Sequence, residues 1–360
     1  MKNPPQTRAR SVRVVALGGG TGLSTVLRGL KEYVSTRRKE SAHPPSVRQP
    51  ISDLAAVVTV TDDGGSSGRL RREYRVLPPG DIRNCMVALS KDEHLLSKLF
   101  QYRFPLGGGL AGHSFGNLFL TALTNVTGDF PEAVRVSSLV LAIRGRIYPS
   151  TAQNVTLEAE LENGQTVAGE TNISRSKKPI RRIRLVPRRV RAVPEVLEAI
   201  RQAHLILIGP GSLYTSIIPN LLIEKVVDAI VQSRATCVYI ANLMTQPGET
   251  EHYSVADHIR AIYEHTRRPM FDFVVINRQP VPPPLLRKYR LQGAEPVQPS
   301  LAELRRMGIR YIAGDFLHHH KVVRHDQSRL ARLLLDKFVQ PQKVNRKGRK
   351  PPSSKRRRAS

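Results

Sequence analysis

Apolar positions along the 360-residue chain fall into two textures. The first is a continuous apolar run closed by glycine or a polar turn. It occurs at Val12–Leu17 before Gly18, at Leu54–Val60 before Asp62-Asp63-Gly64-Gly65, and at Leu205–Ile208 before Gly209-Pro210-Gly211. Two more such runs, around 236–241 and 271–277, also end in polar residues. Unbroken runs of this length predict strands buried on both faces, the signature of a parallel sheet. Between them, apolar residues recur at three- and four-residue spacing, as at Leu23, Val26, Leu27 and Leu30, and predict helices over 20–30, 80–90, 94–104, 110–126, 130–145, 196–203 and 255–265.

The second texture is strict alternation. Val155, Leu157, Ala159 and Leu161 alternate with polar residues and run into Asn163-Gly164, which predicts a β-hairpin over 154–173 continued by the segment 180–193. Together these patterns give an α/β fold, with a doubly wound, mostly parallel sheet and a small antiparallel β insertion at about 150–192. The expected organisation is a basic arm over 1–11, a single α/β domain over 12–339, an exposed insert over 35–50 and a disordered basic tail over 340–360.

Charge changes the picture less than its size suggests. The chain carries 57 Lys and Arg against 29 Asp and Glu, a net +28, which raises nucleic acid or anionic lipid as partners. Four of these basic groups lie within 1–13 and nine in 340–360, and a further nine fall between Arg175 and Arg191 with no acid among them. No helix-turn-helix or zinc-finger pattern accompanies them, and with no Trp there is little to stack bases on. The expectation is a weak, salt-sensitive polyanion affinity through 340–360. Two cysteines, Cys85 and Cys237, in apolar surroundings read as core residues in a reducing compartment. Without an apolar stretch of membrane-spanning length or a cleavable leader, the sequence reads as cytoplasmic, with a homo-oligomer left open.

The candidate chemistry sits in the turns. Gly18, Gly19, Gly20, Thr21, Gly22, Leu23 and Ser24 join a strand to a helix, where glycines admit an anion to free N–H groups at the helix start. The pattern is neither the strict dinucleotide fingerprint, since Leu23 stands where its third glycine would, nor a P-loop. Asp62, Asp63, Gly64, Gly65, Ser66 and Ser67 follow the next strand; the two carboxylates are candidates for Mg²⁺, a ribose or a proton. Asp81 stands at a helix start as a cap or a functional acid, with Arg83 and Asn84 beside it. His113, Ser114 and Asn117 open another helix, and Gly209, Pro210, Gly211, Ser212, Tyr214 and Thr215 form a second glycine turn. Asn242 follows the next strand. His318-His319-His320 is set aside, because consecutive side chains point in different directions.

Five segments in order, LGGGTGLS, TVTDDGGSSGRLR, PPGDIRNCMVAL, GHSFGNLFLTAL and GPGSLYTSIIPNLL, resemble the gluconeogenesis factor (YvcK-like) family of bacteria, which shares a superfamily with the phospholactate transferases of deazaflavin coenzyme synthesis. The resemblance runs from about Val12 to Phe338. It implies a Rossmann-like fold, a cytoplasmic role in cell shape and cell-wall growth under gluconeogenic conditions, and a UDP-sugar or nicotinamide dinucleotide as ligand. On that basis the phosphates fall to Gly18–Ser24 and Gly209–Thr215, the ribose, base or sugar to Asp62, Asp63 and Asn242, and closure of the site to His113, Ser114 and Asn117. The reading favours a ligand-binding factor over an enzyme. The alternative is a Mg²⁺-dependent transferase with Asp62, Asp63 or Asp81 as catalytic candidates and Mg²⁺ at Asp62 and Asp63, although Gly64–Gly68 departs from the aromatic-containing segment of the transferases. A third reading is a polyanion-binding protein acting through its tail.

Overall fold

The structure is a computed structural model that describes residues 11–35, 50–91, 95–105, 107–318 and 322–339. The expected arm, most of the 35–50 insert, the 340–360 tail and His319-His320 lie outside the described residues. In chain order the strands are β1 (Val12–Gly18), β2 (Ile51–Val58), β3 (Arg146–Pro149), β4 (Thr156–Leu161), β5 (Thr166–Ala168), β6 (Ile180–Val186), β7 (Leu205–Ile208), β8 (Thr236–Ile240), β9 (Phe273–Asn277) and β10 (Arg310–Gly314), followed by the short pair β11 (Leu317–His318) and β12 (Arg324–His325).

Seven strands form one sheet in the order β10-β9-β8-β7-β1-β2-β3, all neighbours parallel. The apolar runs dictate this. Val14, Val15, Ala16 and Leu17, Leu54–Val58, and Leu205–Ile208 are at most 2% exposed, so these central strands are covered on both faces. One covering helix is Gly20–Leu30, whose Leu23, Leu27 and Leu30 are fully buried. Burial of each such side chain contributes roughly 1.5–3 kcal/mol. Cys85 and Cys237 are both buried free thiols, as their apolar contexts predicted.

The chain winds outward from β1 to β2 and β3, then returns to lay β7 on the other side of β1. The strand order therefore reverses between β1 and β7. In open parallel sheets such a reversal leaves a crevice beyond the carboxyl ends of the two strands. Leu17 pairs with Ile208 at this point, so the two glycine turns that follow them stand side by side.

The antiparallel insertion is a three-stranded sheet in the order β5-β4-β6. The alternation works as predicted on β4, where Leu157, Ala159 and Leu161 are buried. The hairpin is shorter than expected. The second strand ends at Ala168, and Glu170–Ser176 is a helix, because Gly169 at φ +89 turns the chain out of the strand. β6 buries Ile180, Ile183 and Leu185 and exposes Arg181, Arg182 and Arg184. Arg181 and Arg184 pair with Glu160 and Glu158 on β4 at 2.9 and 2.6 Å, so part of the unassigned Arg175–Arg191 cluster is the solvated face of a strand. His265 accepts a hydrogen bond from the Ile183 N–H at 3.0 Å and ties the insertion to the main body. Among the described residues no helix is long and apolar enough to cross a membrane.

Candidate functional site

The two glycine turns meet at the floor of a cleft of about 500 Å³. Gly22 is required there by contact: a Cβ on it would lie 2.2 Å from the Pro210 carbonyl oxygen. The helix Gly20–Leu30 has no side-chain cap, so its first-turn N–H groups are left for other acceptors. Asp81 faces this helix start, and the Gly20 N–H favours its charged form. Asp81 can come this close because Gly19 has no side chain; a Cβ there would meet Asp81 Oδ2 and Thr59 Cγ2, each at 2.7 Å. The second turn is pinned by Asn242, which accepts from the Gly211 N–H at 3.0 Å and donates to the Gly211 carbonyl at 2.8 Å. Gln246 donates to Ser212 Oγ at 2.7 Å. Gly19, Gly20, Thr21, Gly22, Asp81, Pro210, Gly211, Ser212 and Asn242 thus line the cleft together.

Other residues expected at the site are placed elsewhere. Gly18 closes β1, and its carbonyl accepts from Asn220 Nδ2 at 3.0 Å. Leu23 is core, and Ser24 donates to the Thr21 carbonyl. Asp63 faces the insertion: its Oδ1 accepts from the Thr171 N–H at 2.9 Å and from the Thr171 hydroxyl at 2.7 Å. Asp62 accepts from the Gly64 N–H at 2.8 Å. Gly65 opens the helix Gly65–Tyr74, where Ser66 and Ser67 are buried. His113, Ser114 and Asn117 form a buried network behind the cleft. His113 Nδ1 and Ser66 Oγ are 2.9 Å apart, Asn117 Nδ2 donates to Ser66 Oγ at 3.1 Å, and Ser114 Oγ accepts from Arg83 at 2.6 Å. Arg83 also donates to Asn84 Oδ1 at 2.8 Å. Tyr214 is core, with its hydroxyl 2.8 Å from that of Tyr253, and the Thr215 carbonyl accepts from Thr61.

Several lining residues had no signal in the sequence. Glu170 reaches the cleft from the insertion, Tyr289 and Gln292 from the end of the helix Pro283–Arg290, and Arg324 and His325 from β12. Only Glu170, an acid directly after a glycine, stood in a segment with any pattern, and that pattern read as strand.

Burial governs the electrostatics of the cleft acids. It pushes Asp81 up to about 6, assisted by the charge of Asp62 and opposed by the Gly20 N–H. Glu170 is raised well above the ordinary carboxylate range by burial and then by Asp62, Asp81 and Glu249. Behind it, Glu249 is raised to about 7, again by burial. His325 is driven down to about 4 by burial and is neutral, facing the Ala241 carbonyl at 3.2 Å. Among the described residues no group of three or more His, Cys, Asp or Glu is arranged to hold a metal ion. Mg²⁺ needs no such cage when a ligand supplies phosphate oxygens, and one or two carboxylates then suffice. In this cleft those would be Asp81 and Glu170, which line it, whereas Asp62 and Asp63 do not and Asp63 Oδ1 is engaged by Thr171.

An open parallel sheet with two glycine turns at its reversal point defines a Rossmann-like α/β protein with a cleft at the switch point. The family model for 2-phospho-L-lactate transferase CofD matches residues 14–317, and the chain belongs to that family. It is 46% identical over 325 residues to the gluconeogenesis factor of Bacillus subtilis, covering 90% of this chain and 97% of that one. Identity to the gluconeogenesis factor of Halalkalibacterium halodurans is 44% over 324 residues, covering 90% and 95%. A crystal structure of a Bacillus halodurans protein superposes with a TM-score of 0.84 at 43% identity, covering 91% of this chain and 100% of that one.

Proposed function

We propose that the protein is a cytoplasmic nucleotide-sugar-binding factor that serves cell shape and cell-wall growth when carbon enters through gluconeogenesis. The observation that carries the ligand is the meeting of two glycine turns over one cleft, with an uncapped helix start aimed into it. A diphosphate would lie across Thr21 and Gly22, where first-turn N–H groups and the helix dipole favour negative charge, with the Ser212 side of the second turn beside it. Ser212, Gln246 and Gln292 offer polar edges for ribose, base or sugar hydroxyls, and about 500 Å³ suits a ligand of that size. Glu170, held well above the ordinary carboxylate range, favours a protonated carboxyl beside the phosphates, which reduces like-charge repulsion, and Asp81, raised to about 6, takes up a proton more readily than a free carboxylate as an anion arrives. The gluconeogenic role follows the names of its relatives.

Calorimetric titration of the full chain tests the reading. UDP-N-acetylglucosamine should bind about tenfold or more tightly than UMP, because the second phosphate and sugar reach both turns. Equal binding of the two, or none, overturns it. A nicotinamide dinucleotide competing for the same site would keep the diphosphate reading and change only its substituent.

The family description favours a second reading, a transferase acting on a nucleotide diphosphate donor. Asp81, with Glu170, would then hold Mg²⁺ against the leaving diphosphate, where the metal neutralises developing charge. This reading expects a Mg²⁺-dependent product that Asp81→Asn abolishes while ligand binding survives.

A further inference from the structure

A second cavity of about 300 Å³ opens beside the first, on the other side of the first turns of the helix Gly20–Leu30. Arg28, Arg83, Arg103 and Arg324 all line it, and no carboxylate does. Arg28, Arg103 and Arg324 form no ion pair among the described residues. Arg83 is held between Ser114 and Asn84, yet its Nε is buried without a hydrogen-bond partner. Burial, and next the positive charge of Arg103, lower its proton affinity, so the fold brings these guanidinium groups together against their repulsion. The contrast with the neighbouring cleft is direct: there the walls carry Asp81 and Glu170 beside one arginine, Arg324.

We propose that this arginine pocket is an anion site that binds a phosphate monoester group, distinct from the floor of the glycine cleft. Guanidinium forks match phosphate oxygens in pairs, and several around one anion turn a repulsive cluster into a satisfied one. Its volume is at the small end for ligand sites, enough for a phosphate on a short organic stem. Thr21, Thr25 and Arg324 line both cavities, so an anion in one is placed to affect occupancy of the other. The phosphate is that of a separate phosphorylated metabolite, because a nucleotide sugar seated in the cleft ends in its sugar and carries no terminal phosphate. The site itself does not depend on the nature of the cleft ligand.

The probe is inorganic phosphate, titrated calorimetrically into the full chain and into Arg28→Gln and Arg103→Gln at constant ionic strength. Each loss of a charged partner should weaken the pocket's phosphate binding about tenfold or more. Arg28→Lys should recover part of it, since the charge returns without the fork. Thermal melts of each variant report whether folding is intact. Phosphate binding by folded Arg28→Gln and Arg103→Gln that equals the parent's overturns the proposal, because basic groups elsewhere would then account for it. Repeating the titration with UDP-N-acetylglucosamine present tests the separateness of the site: binding of both at once supports it, and mutual exclusion overturns it, because the internal diphosphate of the nucleotide sugar would then reach the arginines. Failure of the nucleotide sugar to bind at all, with the phosphate result intact, overturns only the cleft reading.

Discussion

The turns after β1 and β2 look alike in sequence, each glycine-rich and each leading into a helix, yet they do different work. After β1, Gly19 and Gly22 clear space so that Asp81 and the Pro210 carbonyl can close on the start of a helix, and the turn faces the cleft. After β2, the glycines clear space for the turn's own acids and backbone. A Cβ on Gly68 would lie 1.8 Å from the Asp63 carbonyl oxygen, and Asp63 itself reaches away to Thr171 on the insertion. One turn presents backbone to the cleft; the other fastens the insertion to the main sheet. Two adjacent carboxylates invite a metal in sequence, but their partners decide whether they are free to take one.

The sharpest way to break this contrast is Gly22→Val. A Cβ placed 2.2 Å from a backbone oxygen has no flexible neighbour to push aside, and overpacking of this kind costs about 3 kcal/mol or more. We expect a large drop in Tm and loss of UDP-N-acetylglucosamine binding by calorimetry even in protein that remains folded. Retained binding would mean that the two turns need not touch for the cleft to work.

Asp63→Ala probes the other turn and should act through the insertion. It removes the acceptor of two hydrogen bonds and leaves the Thr171 N–H without one, a loss of about 2 kcal/mol. The expected outcome is a lower Tm and faster proteolysis within the insertion, with nucleotide-sugar affinity changed less than about threefold. Asp63→Asn, which keeps an acceptor, should recover much of the stability. Abolished binding with unchanged stability would place Asp63 in the site and erase the distinction.

The contrast also marks what the sequence could reveal. The parallel sheet was legible because Val12–Leu17, Leu54–Val60 and Leu205–Ile208 are long apolar runs with no polar face, and both glycine turns followed from them. β3 was hidden, because Arg146–Pro149 is short and follows directly on an apolar helix whose pattern runs into it. Of the candidate residues, Gly19–Gly22 after β1 and Pro210–Ser212 after β7 line the cleft, since a turn's position follows from its strand, and Asp81 and Asn242 join them there. Side-chain direction does not follow in that way. His113, Ser114 and Asn117, read as a binding motif, are turned toward Ser66 and Arg83 and do not line the cleft. Glu170, Gln292 and Arg324 arrive from segments far along the chain that only tertiary packing brings to the cleft.

The smallest expected effect has the opposite sign and belongs to Asp81, the acid that the β1 turn admits. Its folded pKa of about 6 lies above the ordinary carboxylate value, so between roughly pH 4 and 6 the folded chain holds a proton that the unfolded chain has released. Stability from this group is therefore present at low pH and falls as pH rises through that window, with the full cost above it. Asp81→Asn removes the charge and keeps an oxygen facing the Gly20 N–H. Denaturant unfolding should show the variant about 1–2 kcal/mol more stable than the parent at pH 8 and nearly equal at pH 4. The same loss of stability at both pH values would mean that Asp81 is held there for its hydrogen bonds alone. A gain confined to high pH would show that the cleft keeps a destabilised carboxylate beside its first glycine turn.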